Sequence, residues 1–318
     1  MGRFSFRGVP SRGLDALELV AQGYRLTVRP IPPDYIPTLQ AISTPWLCPT
    51  NLLTMTIDGE GEVGAEVQTL LFDVRQFLSF AWGRYIGIAL ARGADERGDV
   101  ALAHWGIIPP DPFVPSFRQP HWFLQCNAEV LQEILPGYMR RCRNPLWKDA
   151  TEWALYWWLA ANNPGQRSET AILASVAGLE MITSALQKEG LITTVSRPGV
   201  AGRGGRKNGS RAASRIRGLL LKMRMPAGIG GQLDELRKAA AQFTWDGPEA
   251  VVGIRNALAH PERQGQEGLA FEASQLAMWY LEMALLYLFD FNGECANRTI
   301  FQKHFQASEK VPWAASRS

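Results

Sequence analysis

The stretch Asp246–Pro261, DGPEAVVGIRNALAHP, fixes both ends of one short helix and constrains the chain more than any other run of similar length. Asp246 is a helix-capping residue type, and Glu249, three positions on, is the reciprocal partner of a capping box. Pro248 falls in the first turn, where a missing N–H leaves no helical hydrogen bond unmade. Val251, Val252, Ile254 and Leu258, with the alanines among them, supply an apolar face. Pro261 disfavours α geometry at His260, so the helix is predicted to stop there. Arg255 then stands in the helix interior, with Asn256 beside it and His260 at a frayed end. Arg255 and His260 lie roughly 140° apart around a regular helix at ~100° per residue, so they share no face. A broken last turn lets His260 swing back toward Arg255.

The rest of the chain divides by texture. Leu14–Ala21 has a brief helical pattern. Tyr24–Ile31 and Leu52–Ile57 alternate as strands, the first closed by prolines and the second by Asp58-Gly59. Glu66–Trp82 spaces Val67, Leu70, Leu71, Val74, Phe77 and Leu78 as one helical face. Tyr85–Ala91 and Val100–Ile107 read as two further strands around a turn-rich loop. The first half is therefore α+β, a helix with a small antiparallel sheet. A short helix at Glu129–Leu135 precedes Pro136-Gly137 and Pro145, which punctuate a junction. Helices follow at Asp149–Ala161, at Ser168–Glu189 with Gly190 at the C′ position, at Arg211–Met225, at Gln232–Phe243 and at Leu269–Phe291. Short loops between them favour an antiparallel helical bundle. The predicted organisation is an α+β domain at 1–135, a junction at 136–148, a helical domain at 149–305 and a disordered tail at 306–318.

Composition narrows the function classes. A chain of 318 residues suits about two domains at ~150 residues each, and 46% hydrophobic content is ample for a core. A net charge of +3 excludes a global polycation, so nucleic-acid affinity has to come from a local patch. Cys48, Cys126, Cys142 and Cys295 are scattered without zinc-ligand spacing, which fits free thiols in a reducing cytoplasm. No metal and no cofactor is expected. The opening MGRFSFRG lacks the apolar core of a signal peptide, and Phe6 breaks the myristoylation pattern. The most apolar run, Leu276–Phe289, is short for a bilayer and holds Glu282, so no membrane span is expected.

The order Arg255, Asn256, three residues, His260 resembles the signature of the HEPN superfamily, helical domains found in many RNA-cutting toxins and phage-defence proteins. The resemblance covers about residues 149–291. It implies a helical bundle, a homodimer that brings two copies of the motif into one cleft, and a supporting polar or acidic residue from an earlier helix, a role that Glu180 or Glu169 could fill. The N-terminal half, with Leu78-Ser79-Phe80-Ala81 ending its helix, is similar to front modules of some phage-defence HEPN proteins. The chemistry suits the residue types. An imidazole near neutral pKa can take a proton from a ribose 2′-OH and return one to the leaving 5′ oxygen. A guanidinium can hold the phosphate and stabilise its pentacovalent state, leaving a 2′,3′-cyclic phosphate and a 5′-OH. The structural alternative is that Arg255 and Asn256 bond helix-end carbonyls and His260 caps a terminus.

Nine basic residues, Arg197, Arg203, Arg206, Lys207, Arg211, Arg215, Arg217, Lys222 and Arg224, lie in a stretch with no acid between Glu189 and Asp234. The run could follow an RNA backbone, with Arg203, Arg206, Lys207, Arg211 and Arg215 as its contacts, or form a solvated loop and helix face. Trp153, Trp157, Trp158 and Trp279 could stack bases, but aromatics at helical spacing are more often core, and they are assigned to the core. His104 and His121 have no metal-ligand neighbour and are assigned structural roles. Gly202–Gly205 lacks the Lys-Ser/Thr pair of a phosphate loop. The resemblance, with these observations, implies a cytoplasmic, metal-independent endoribonuclease acting on RNA, as an anti-phage or growth-arrest effector whose N-terminal half senses or restrains. A non-catalytic HEPN module that binds RNA or a protein and dimerises is the alternative.

Overall fold

The computed structural model describes residues 17–21, 23–30, 51–57, 65–89, 91–94, 100–103, 107–108, 122–123, 128–163, 165–196, 210–259, 267–300 and 308–314. The fold is mixed α+β, with a small antiparallel sheet near the N-terminus and a helical C-terminal region. The chain forms two compact units, Met1–Ser116 with Gln125–Arg140, and Phe117–Leu124 with Arg141–Ser318.

In the first unit, β1 (Leu17–Ala21), β2 (Tyr24–Pro30) and β3 (Asn51–Ile57) make an antiparallel sheet in that order. The helical pattern at Leu14–Ala21 is thus overturned where it is described. Leu17, Leu19 and Ala21 point inward while Glu18 and Val20 face out, a period of two. Gly23, with φ 81°, turns the chain so that Ala21 pairs with Tyr24. Helix α1 (Ala65–Trp82) buries Leu70, Val74, Phe77, Phe80 and Ala81. The expected strand pair after it is broken into two short ladders, β4 (Ile88–Ala89) with β7 (Ile107–Ile108) and β5 (Arg92–Ala94) with β6 (Val100–Ala103). Helix α2 (Ala128–Arg143) continues past Pro136-Gly137 into the predicted junction, with Pro136 inside it. A proline there removes one backbone hydrogen bond. Burial of Leu131, Ile134, Leu135, Tyr138 and Met139 on either side outweighs that loss. The Gln132 amide bonds both the N–H and the carbonyl of Val20 at 2.7 Å, which satisfies backbone groups of β1.

The second unit is built on α3 (Lys148–Asn162), α4 (Ser168–Lys188), α5 (Arg211–Lys222), α6 (Asp234–Phe243), α7 (Gly247–Ala259) and α8 (Ala270–Leu288). Helices α3, α4 and α8 contact one another, and α7 lies against α4, α5 and α8. Almost every residue of α8 is buried, including Glu282. Arg298 answers that carboxylate with two hydrogen bonds, at 2.7 and 2.8 Å, and also reaches Asn162 Oδ1 at 3.1 Å. Helix α4 is the one helix among the described residues whose length and apolar composition could cross a membrane, and 61% of its apolar window is buried inside the protein.

Two end signals behave differently from each other. Ser168 makes no capping bond and Arg167 occupies the N-cap position of α4. Gly190, at φ 70°, closes its C-terminus as expected, with Gly190 N–H bonded to Gln187 O and Leu191 N–H to Leu186 O. The tail reading also fails in part. Residues 308–310 form β9 (Ser308–Lys310) paired with β8 (Glu294–Ala296), and Trp313 is buried with its indole N–H bonded to Phe291 O at 2.6 Å.

Candidate functional site

Helix α7 begins as its sequence dictates. Asp246 N–H donates to Glu249 Oε2 at 3.2 Å and Glu249 N–H donates to Asp246 Oδ1 at 2.9 Å, a reciprocal capping box. Arg217 of α5 locks it from below, 2.7 Å from Asp246 Oδ2 and 3.3 Å from Glu249 Oε1, with Nη1 donating to Val195 O at 2.7 Å. At Gly247 a Cβ would run into the Tyr280 hydroxyl, so only glycine lets α7 start this close to α8. Burial, and secondarily the Asp246 charge, push the Tyr280 hydroxyl pKa far up, so it stays neutral.

Two turns further on, Arg255 and Asn256 are half-buried. Arg255 Nη1 donates to Asn256 Oδ1 at 3.0 Å, and Nη2 lies 3.6 Å from Glu180 Oε1 of α4. The Arg255 and Glu180 side chains retain 31% and 38% exposure, so water reaches both. The structure thus brings together Arg255, Asn256 and Glu180. Glu169 lies in the first turn of α4, in an ion pair with Arg167. His260 and Pro261 lie outside the described residues, and the last helical residue described is Ala259.

The basic run separates into unlike parts. Arg203, Arg206 and Lys207 lie outside the described residues. Arg211 is exposed at the start of α5 and Arg215 is half-buried one turn on. The first turn of α5 carries no acid and Ser210 makes no capping bond, so Arg211 adds to the positive end of the helix dipole. Arg217 is withdrawn from any such role by the capping box. Its signal was in the sequence: Ala213, Ile216, Arg217 and Leu220 form an i, i+3, i+4, i+7 stripe, which places the arginine on the buried face.

The tryptophans also divide. Trp158 and Trp279 are core, as assigned, but Trp153 is 49% exposed and Trp157 half-buried. Trp153, Tyr156 and Trp157 form an aromatic cluster with ring centroids 5.0–6.4 Å apart. Trp245 was passed over in the sequence, and it stacks on Phe243 at 4.6 Å. His104 and His121, and the glycines 202–205, lie outside the described residues. Cys142 and Cys295 form no disulfide, while Cys48 and Cys126 are not described. Among the described residues no three His, Cys, Asp or Glu side chains converge as a metal-binding group.

Comparison with known proteins gives one relative. The SPbeta prophage-derived uncharacterized protein YopA of Bacillus subtilis (strain 168) is 22% identical over 255 residues, which is 78% of this chain and 54% of YopA. The chain therefore spans about half the length of the curated relative it matches. No solved structure matches. The family model of the YopA C-terminal domain matches residues 144–309, which include every helix from α3 to α8 as well as Glu180, Arg255 and Asn256. That match covers just over half of the sequence, and the chain belongs to the YopA C-terminal domain family.

Proposed function

We propose that this protein is a metal-independent endoribonuclease of HEPN type, with Arg255, Asn256 and His260 as its working residues. The observation that carries this reading is the state of the Arg255 guanidinium. It is oriented by Asn256 and Glu180 yet open to water. An exposed ion pair at 3.6 Å is worth no more than ~1 kcal/mol, so an RNA phosphate can displace Glu180 at little cost. Arg255 then holds the phosphate, Asn256 keeps the guanidinium aimed, and His260 moves the protons of 2′-OH attack and 5′-oxygen departure. Arg211 and Arg215, with Arg203, Arg206 and Lys207, extend the contact along the backbone.

The resemblance of Arg255-Asn256-x-x-x-His260 to the HEPN signature, set in a helical unit, supports the same reading. A composite site across a homodimer follows from it, and the exposed apolar residues Trp153, Tyr156, Leu173 and Met181 on α3 and α4 offer a surface for that dimer. The prophage origin of the Bacillus relative is in keeping with a cytoplasmic role in phage–host conflict, with the N-terminal unit sensing or restraining.

The test is cleavage of total RNA by purified protein in the presence of chelator, with the new ends analysed for cyclic phosphate. Wild type should cut. His260→Ala, which removes the proton-transfer group, should lose ~100-fold or more in rate while remaining folded. Arg255→Ala should also lose cleavage. Activity unchanged in His260→Ala, or abolished by chelator, sinks the mechanism. Retained RNA affinity without cleavage by wild type would mark a non-catalytic binding module.

A further inference from the structure

We infer that Phe243 and Trp245 form a platform on which an unpaired base of single-stranded RNA stacks beside Arg255. The inference rests on the proposed RNA role of Arg255 and adds the substrate's form, a strand with bases free to splay outward. The two rings are stacked, 4.6 Å apart with an interplanar angle of 23°. Phe243, the last residue of α6, is 50% exposed. Thr244 between them adopts a left-handed conformation, φ 54° and ψ 35°, which a β-branched residue rarely does. That strained turn is held by Trp245 N–H bonded to Ala240 O at 2.8 Å. Its result is that residues 243 and 245 sit face to face. Half of the Phe243 surface is left to solvent.

The platform is joined to the Arg255 site through α7. Trp245 lies flush on Gly253, where an added Cβ would stand 2.9 Å from the indole, so glycine is required for this approach. Asn256 is three residues after Gly253 and therefore its near neighbour on the same flank of the helix, about 60° away. Asn256 in turn accepts the hydrogen bond from Arg255. The stacked aromatics thus meet the helix at Gly253, and Asn256, which holds the guanidinium, follows on the same flank. An exposed flat ring is the surface on which an unstacked base settles, and a strand whose phosphate is held by Arg255 carries its neighbouring bases toward this flank of the helix. A base in a duplex is already stacked and paired, so the arrangement selects single strands.

The experiment measures binding of full-length protein to fluorescein-labelled 2′-O-methyl oligoadenylate, which 2′-OH attack cannot cleave, and to an abasic sugar-phosphate oligomer of equal length. Phe243→Ala should weaken oligoadenylate binding about tenfold. It should leave abasic binding and the salt slope as in wild type, since no phosphate contact is lost. Phe243→Tyr keeps the ring and should restore binding. Phe243→Leu keeps apolar bulk without a π face and should stay weak, which carries the test should the alanine variant melt early. If Phe243→Ala binds oligoadenylate like wild type while Arg255→Ala does not, the platform is wrong and the RNA reading survives. If wild type binds neither oligomer, both fall. Wild type that ignores RNA but loses self-association on Phe243→Ala would make the stack a protein contact and overturn the inference.

Discussion

Three arginines of the helical unit show how environment assigns work to one residue type. Arg298 is 2% exposed and makes two short bonds to a fully buried Glu282. Arg217 is 7% exposed and ties Asp246, Glu249 and Val195 together. Arg255 holds its carboxylate at 3.6 Å in water. The first two cannot leave their partners without stranding buried charge, and only the third is at liberty to take a phosphate. This gives a prediction. Arg217→Met leaves two carboxylates near the buried start of α7 without a countercharge, which should cost ~3 kcal/mol in urea unfolding, as breaking a buried pair does. Arg217→Lys keeps the charge but not the fork and should fall between. A loss in Arg217→Met no larger than for an exposed residue such as Arg211→Met would show that the capping box stands without it. Arg255 and Asn256 were legible from local sequence because their motif is contiguous. Arg217 was masked by its basic neighbours, although the stripe of Ala213, Ile216 and Leu220 marks it as inward-facing.

At the scale of elements, periodicity and end signals succeed where the element is long and its ends are chemically marked. The extents of α1, α3, α5, α6 and α7 lie within a few residues of those expected from apolar spacing. The failures have specific causes. Leu14–Ala21 is short enough to fit either period, and pairing with β2 decided it. Pro136 reads as a breaker, but burial on both sides carries α2 across it. The last residues lack a long periodic run, and what orders 308–314 is a distant strand and the Trp313 bond, neither of which is local. Gly190 is the clean test of an end signal. Its φ is 70° and a Cβ added there meets nothing within 4 Å, so substitution probes backbone conformation alone. Gly190→Ala should destabilise by about 1 kcal/mol, and Gly190→Asn by less, because asparagine tolerates the left-handed region. Equal stability of Gly190→Ala and wild type in thermal melting would mean that the turn relaxes into another conformation.

At the scale of the whole molecule, the question is whether one chain suffices. The proposed site of Arg255 and His260 is sparse, and a two-fold axis would double it without any new residue. Exposed apolar residues on α3 and α4 are the candidates for that axis. Trp153 and Tyr156 are each nearly half exposed, and Leu173 and Met181 stand out from α4, the helix that also carries Glu180. Exposed Trp and Tyr rings are the side chains that protein interfaces most often bury. Light scattering at tens of micromolar, roughly the range where such an interface is filled, should therefore give twice the 35.3 kDa chain mass. On the proposed function, Trp153→Glu, which places a charge among these residues, should yield a folded monomer with less RNA cleavage. Mixing Trp153→Glu with Arg255→Ala should not restore activity, because neither chain then offers both the interface and the guanidinium. A wild type that stays monomeric yet cuts RNA would put the complete site within one chain and end the case for a composite cleft.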